Sequence, residues 1–358
     1  MAMTKTAGRI EMDSLVADAL ASYMKDKGMT DDKGVPAGVA EEVAPKKVVE
    51  VKEGEVLFSK MFGKAPKFGD FAVPSSVKVD PIMAAHVRAI DKDYVVQTEE
   101  AARLVKGIVH GDKILITGPT GSGKSSLVKH VCSKLGYPFI RVNMSGDIES
   151  SALFGQLTVK GGATVWQDGP LTEAVRHGGV VLIDEWELMP PEIAMGLQNL
   201  LEDDGFLFLK EMPGTAEEKT LHPHANFRLI CAGNTVGQGD DSGNFSGTMV
   251  QNSATLDRFT TTIVLGYLSK AHEVDVITSR TTVAAAVAKK MVALAELIRN
   301  ANSQMQINLT MSPRTLINWG KKMAQYEDTR LAFNVAFYDK LRDSDKKAVD
   351  ELYFKVFA

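Results

Sequence analysis

A glycine-rich stretch in the first half of the chain has the residue types and spacing that bind polyphosphate. It consists of Gly118, Pro119, Thr120, Gly121, Ser122, Gly123, Lys124, Ser125 and Ser126. Its glycines can take backbone angles that side chains forbid, so successive N–H groups can point at phosphate oxygens, and the helix that follows adds its positive end. We expect Lys124 to reach the β- and γ-phosphates, and Ser125 to place its hydroxyl on Mg²⁺. The stretch therefore predicts a nucleotide site with magnesium.

An acidic pair and a later asparagine have the chemistry to hydrolyse a bound nucleotide. Asp184 and Glu185 end the apolar run 179–183, and Asn234 ends the run 227–233. Asp184 can hold Mg²⁺ through water, and Glu185 can polarise the water that attacks the γ-phosphate. Asn234 is placed to position that water beside Glu185, although an asparagine at this point can also be an ordinary turn residue.

Two arginines are candidates for stabilising the charge that develops during phosphoryl transfer. Arg258 precedes a predicted strand, and many nucleotide switches receive such an arginine from a neighbouring subunit. Its alternative role is structural, paired with Asp257 or another nearby carboxylate. Arg314 lies at the start of a predicted helix and could reach the γ-phosphate from within the same chain.

The elements that must position these residues alternate between apolar runs and helical patterns. We predict a helix at 98–110, and strands at 114–117, 138–143, 179–185, 227–234 and 260–267. Runs that are apolar on both faces indicate parallel strands between helix layers. Helices at 283–300 and 313–323 follow. The fold expected is α/β, a five-stranded parallel sheet between helices, followed by a small helical lid.

The chain divides into four predicted segments. Residues 1–55 hold a short amphipathic helix at 12–24 and a polar linker, 56–97 an ordered arm without much regular structure, 98–268 the nucleotide-binding domain, and 269–358 the lid. The early helix could dock on a partner or lie on its own protein. Residues 157–166 alternate around a Gly-Gly pair, which predicts a hairpin with a two-residue turn. Its Lys160 and Trp166 could touch a client, or it could be a plain surface hairpin with Trp166 packed inward.

Composition narrows the class of protein. Hydrophobic residues make up 44% of the 358 residues, which is ordinary for a globular protein, and the net charge of −4 makes nucleic acid an unlikely partner. The cysteines, Cys132 and Cys231, lie in apolar surroundings and are expected to be buried. Because no apolar run reaches membrane-spanning length and the start lacks a secretory core, we expect no membrane association and a cytoplasmic location.

The order of these motifs resembles that of AAA+ ATPases of the MoxR group, and most closely the ATPase subunits of aerobic cobaltochelatases. The similarity runs from about Val56 to the lid. It is carried by Met61–Gly63, Val73-Pro74, Ile90–Val95, His222–His224, Phe227–Leu229, Ala232–Asp240, Gly247-Thr248 and Leu256–Phe259. Residues 1–55 have no counterpart in that family, and Trp186 and Glu187 replace other residues after the acidic pair.

The resemblance implies an ATPase that forms a ring, usually a hexamer, with ATP and Mg²⁺ between subunits. Lys124, Ser125, Asp184 and Glu185 would come from one chain and Arg258 from the next. It also implies a partner with a von Willebrand A domain and a client protein that is remodelled, which in cobaltochelatase is the subunit that inserts cobalt. Other readings remain open: a scaffold or switch with slow hydrolysis, a true cobaltochelatase subunit, or a DNA-translocating motor, which the acidic charge disfavours.

Overall fold

A computed structural model describes residues 49–235 and 253–358. Contacts divide the chain into Met1–Val49 and Glu50–Ala358, and the second unit is the one described below. The helix predicted at 12–24 and the linker up to residue 48 lie outside the described residues. So do residues 236–252, which carry part of the family resemblance.

The helices and strands alternate as expected for an α/β domain followed by helices. The helices are α1 (Phe58–Phe62), α2 (Thr98–His110), α3 (Lys124–Leu135), α4 (Ser150–Phe154), α5 (Pro170–His177), α6 (Pro191–Gln198), α7 (Ala216–Lys219), α8 (Ser253–Asp257), α9 (Lys270–Arg280), α10 (Ala285–Ser303), α11 (Pro313–Tyr326), α12 (Thr329–Ala336) and α13 (Asp343–Phe357). The strands are β1 (Glu55–Leu57), β2 (Ala72–Pro74), β3 (Ile114–Thr117), β4 (Phe139–Asn143), β5 (Gly155–Lys160), β6 (Ala163–Asp168), β7 (Gly179–Asp184), β8 (Leu207–Phe208), β9 (Thr220–Leu221), β10 (Phe227–Gly233) and β11 (Thr261–Val264).

The central sheet confirms the predicted five parallel strands. Its order is β11-β3-β10-β7-β4, and every pairing is parallel. All six residues of β7 are buried, as a strand between two helix layers requires. The phosphate loop, the acidic pair and Asn234 follow three adjacent strands, so the topology brings their carboxyl ends to one edge of the sheet.

Strand β11 is shorter than the predicted 260–267, because its single neighbour β3 ends where the phosphate loop begins. The last ladder bond runs from the N–H of Leu265 to the carbonyl of Thr117 at 2.7 Å. Beyond Leu265 none of the strands in the described residues lies beside the chain, which turns toward α9.

Alternating side chains of the sheet fill two apolar layers. Ile114 and Ile116 pack into one cluster with α2 and α3, whereas Leu115 packs into the other cluster with α5 and α6. This is the period-two pattern of a strand buried on both faces. Cys132 and Cys231 are both buried free thiols, as predicted.

The arm before α2 contains more regular structure than predicted. Strands β1 and β2 pair antiparallel, with Val56 opposite Val73, and α1 follows β1 directly. The ring of Phe58 is fully buried and stacks on Phe62 at 4.6 Å between centroids. Phe58, Phe62 and Val73 pack into the apolar cluster that includes α2, and thus anchor the arm to that layer.

The hairpin predicted at 157–166 is present as β5 and β6, between α4 and α5. Gly161 and Gly162 form its two-residue turn with φ of 59° and 82°, angles that glycine adopts freely. Trp166 is half-buried and donates to Asp168 Oδ1 at 2.6 Å, whereas Val159 is 75% exposed. The hairpin therefore has a packed base and an exposed tip.

Helices α9 to α13 form the predicted helical region around their own core. Trp319 and Phe333 lie at the centre of this core, both fully buried. A buried ion pair also links α9 to α10, where Arg299 donates to both carboxylate oxygens of Glu273 at 2.8 and 3.0 Å. Among the described residues, no helix has the length and apolar character needed to cross a bilayer.

Candidate functional site

The phosphate loop holds two glycines that no other residue could replace without a change in the structure. Gly118 has φ of 150°, and a Cβ there would lie 2.0 Å from the carbonyl oxygen of Leu265. Gly121 has φ of 71°, and a Cβ there would lie 2.4 Å from Cβ of Ser312, at the start of α11. Both positions need positive φ and close approach of another segment, which only glycine permits.

Lys124 begins α3 and turns its ammonium group back over the loop. Its Nζ donates to the carbonyls of Gly118 at 2.7 Å and Pro119 at 3.2 Å, and to Oδ1 of Asn234 at 2.9 Å. The residue is buried, and burial lowers the pKa of Lys124, an effect that the nearby carboxylates of Asp184 and Glu187 oppose. The cation is thus held by neutral oxygens, which a phosphate could replace.

The predicted metal ligands meet directly. Oγ of Ser125 contacts Oδ2 of Asp184, across the gap between α3 and the end of β7. In the same loop the hydroxyl of Ser122 is buried and has no hydrogen-bond partner among the described residues. A hydroxyl, a carboxylate and an unsatisfied donor fit a magnesium ion with a polyphosphate, since hard cations prefer oxygen ligands.

Glu185 is exposed at the tip of β7 and is held there by an unusual backbone. Its φ of 57° lies in the left-handed region, which is sparsely populated for residues other than glycine. Its N–H donates to Oδ1 of Asp184 at 3.2 Å. Backbone strain of this kind is concentrated at functional sites, and here it separates a buried Asp184 carboxylate from an accessible Glu185 carboxylate.

Asn234 contacts Lys124, as described above, and its backbone is held by a residue that sequence reasoning did not assign. Its N–H donates to Oε1 of Glu187 at 2.7 Å. Glu187 is 1% exposed, and burial raises the pKa of its carboxyl group. The turn after β7 and the end of β10 are therefore joined by one carboxylate, whose closeness could be deduced only from the strand order.

A cleft of about 410 Å³ opens beside the loop and is lined by both the sheet domain and the helical region. Gly121, Ser122 and Gly123 line it together with Arg314, which is exposed at the first turn of α11. On the arm side Tyr94 lies over the ring of His130, with 4.4 Å between centroids. The structure therefore places Arg314 beside the phosphate loop of its own chain.

Arg258 lies elsewhere. Its Nε donates to Oε1 of Glu202 at 2.5 Å, and one terminal nitrogen donates to the carbonyl of Ala254 at 2.8 Å. Among the described residues, its hydrogen bonds reach neither the phosphate loop nor the acidic pair. The pairing with a nearby carboxylate that the sequence left open is present, and the carboxylate is Glu202 rather than Asp257.

Comparison with known proteins identifies the family. Residues 113–259 match the AAA domain of the dynein-related subfamily, and residues 273–353 match the CbbQ/NirQ/NorQ C-terminal domain. The aerobic cobaltochelatase subunit CobS of a Sinorhizobium species is 31% identical over 297 residues, covering 80% of this chain and 87% of CobS. Protein NorQ of Paracoccus denitrificans strain Pd 1222 is 34% identical over 158 residues, covering 42% of this chain and 57% of NorQ.

Among solved structures, a RuvB variant of Thermotoga maritima is similar with a TM-score of 0.40 at 15% identity, covering 72% of this chain and 66% of RuvB. The sequence matches are stronger and span both the sheet domain and the helices that follow. The chain therefore belongs to the MoxR-like family of AAA+ ATPases, enzymes that bind and hydrolyse ATP.

Proposed function

We propose that this chain is a magnesium-dependent ATPase that works as an oligomer and uses hydrolysis to remodel a bound protein. One observation carries the proposal: hydrogen bonds join Lys124 to Asn234 and to the loop, and Ser125 to Asp184, whereas those of Arg258 go to Glu202 and Ala254. A site with its phosphate-binding groups in place and one candidate cation elsewhere fits completion by a neighbouring subunit.

Within one chain the described residues divide the work. The loop N–H groups and Lys124 bind the phosphates, with the carbonyls of Gly118 and Pro119 releasing the ammonium group to them. Ser125 and Asp184 would hold Mg²⁺, which neutralises charge on the phosphates. Glu185, exposed at the strand tip, polarises the attacking water, and Asn234 fixes its position.

Two arginines stabilise the negative charge on the phosphates, one from the same chain and one from the adjacent subunit. Arg314 on α11 reaches the cleft in the same chain and ties the position of the helical region to the nucleotide. Arg258 acts on the nucleotide of the adjacent subunit, in a ring that we propose to be a hexamer. An arginine supplied in this way can raise the rate of phosphoryl transfer by about 10³-fold or more.

The proposal of a client and a partner is based on the family resemblance and not on the geometry of the site. We propose a partner that contains a von Willebrand A domain and a client protein remodelled by the ring. A second candidate role is that of an ATPase subunit in a cobaltochelatase, which is supported by similarity to CobS over 87% of that protein.

The shared site is tested by mixing two inactive variants. Arg258→Ala lacks the cation offered to the neighbour, and Lys124→Ala lacks its own phosphate contact, so neither is expected to hydrolyse ATP alone. In mixed oligomers some interfaces combine an intact loop with an intact Arg258, and phosphate release is expected to return. If the two proteins co-assemble by light scattering and release remains absent, Arg258 does not act on a neighbour.

A further inference from the structure

The buried carboxylate that would hold magnesium already has a cation beside it. Nε and one terminal nitrogen of Arg141 each lie 2.8 Å from Oδ2 of Asp184. Strand register explains the contact: Asn143 pairs with Asp184, so Arg141 and Asp184 extend from the same face of neighbouring strands β4 and β7. Nothing in the spacing of the sequence indicates this pair.

The hydrogen-bond capacity of Asp184 is largely used. Its Oδ2 takes Arg141 and the hydroxyl of Ser125, and its Oδ1 takes the N–H of Glu185. A carboxylate oxygen offers about two lone-pair sites, so Oδ2 has no room for a further donor. A water molecule on a metal ion could reach Oδ2 only where one of these donors leaves.

The two partners differ in how easily they move. The side chain of Asp184 is 6% exposed, whereas that of Arg141 is 44% exposed. The guanidinium group can therefore swing into solvent or toward the cleft while the carboxylate stays in place. Ser125 is fixed by α3, which makes Arg141 the donor that leaves.

We propose that Arg141 is a competing counter-ion for Asp184, and that the pair must open before magnesium can be held through Oδ2. Arg141 then sets how strongly metal and nucleotide reinforce each other's binding. The inference rests on the proposed nucleotide site and adds a positioning residue to it. It predicts that removal of the guanidinium strengthens the coupling, whereas a purely structural Arg141 that orients Asp184 predicts that removal weakens it.

The test measures binding and needs no hydrolysis. The affinity of the full chain for a non-hydrolysable ATP analogue is measured by calorimetry with EDTA and with saturating Mg²⁺, and the ratio of the two is the coupling between metal and nucleotide. Association of Mg²⁺ with the free analogue is common to all variants and cancels between them. Arg141→Gln is expected to raise the ratio by roughly 1.5- to 5-fold, the range for loss of a partly exposed ion pair.

Two further variants keep the result interpretable. Arg141→Lys keeps the charge without the two-pronged contact and is expected to raise the ratio less. Arg176→Gln removes a similar pair, Arg176 with Asp168 at 2.7 Å, whose other hydrogen bonds reach Trp166 and Met212 rather than Ser125, and is expected to leave the ratio unchanged. A ratio that is unchanged or lower in both Arg141 variants would overturn the inference while the proposed function stands. A wild-type chain that binds the analogue under neither condition would contradict the proposed function as well.

Discussion

At the scale of single residues, the site depends on side chains whose charge state is set by burial. His130 is 5% exposed under the ring of Tyr94, and neither ring nitrogen has a hydrogen-bond partner among the described residues. Burial therefore lowers the pKa of His130 from 6.5 to about 4, with the charge of Lys134 acting in the same direction. Because the ring lines the cleft, its neutral form is part of the folded site.

The sign of the pH dependence follows from that shift. Between pH 4 and pH 6.5 the unfolded chain binds a proton at His130 that the folded chain excludes, so the free energy of unfolding rises with pH in this window. The contribution lost as pH falls from 6.5 to 4 is at most about 3.5 kcal/mol, since one pKa unit is worth about 1.4 kcal/mol.

His130→Phe is expected to flatten the acid side of the stability curve, measured by urea unfolding at a series of pH values. Phenylalanine keeps the stack on Tyr94 and cannot take up a proton. His272→Phe, at an exposed position, serves as the control and is expected to retain the wild-type slope. An unchanged slope in His130→Phe would show that another group causes the acid sensitivity.

At the scale of elements, the phosphate loop is in contact with α11, and we expect this contact to couple the nucleotide to the helical region. Ser312 caps α11 by accepting the N–H of Thr315 at 3.3 Å, and it packs against Gly121 of the loop. The hydroxyl of Tyr267 adds a second link, donating to the carbonyl of Thr120 at 3.2 Å. A rotation of the helical region would therefore shift the phosphate loop.

Gly121→Ala tests this coupling. A Cβ at residue 121 meets Ser312 and also strains a backbone with positive φ, which alone costs about 1–2 kcal/mol. We expect the affinity for the ATP analogue to fall by at least roughly 10-fold, in accord with a loss of about 1.4 kcal/mol. Gly161→Ala has similar φ and open space around it, so it is expected to cost stability alone. Equal analogue affinity in the two variants would show that the contact with Ser312 is unimportant.

At the scale of the molecule, sequence predicted the sheet, the helical region, the hairpin and the phosphate loop, because each is encoded by local periodicity or by a contiguous motif. It did not predict Arg141 or Glu187 as partners of Asp184 and Asn234, because those contacts depend on which strands lie side by side. Strand β4 lies next to β7, and β10 lies between β3 and β7. The order of strands in a parallel sheet is a tertiary property that no single segment specifies.

At the scale of the whole molecule, two functions remain to be distinguished: a machine driven by ATP hydrolysis and a scaffold that only assembles. Both would bind nucleotide at Lys124 and both would form oligomers, so particle size alone does not distinguish them. What differs is turnover, which we propose to depend on Glu185, exposed at the tip of β7. The proposed catalytic carboxylate is thus the residue on which the two accounts give opposite results.

The most direct measurement is therefore the initial rate of phosphate release from ATP with Mg²⁺, for the wild-type chain, Glu185→Gln and the control Glu192→Gln, whose carboxylate is also exposed. We predict many turnovers for the wild type and Glu192→Gln. Glu185→Gln should be slower by at least roughly 100-fold, the usual worth of a general base, while it still binds ATP. Wild-type release by Glu185→Gln, or no turnover by any of the three, would contradict the account.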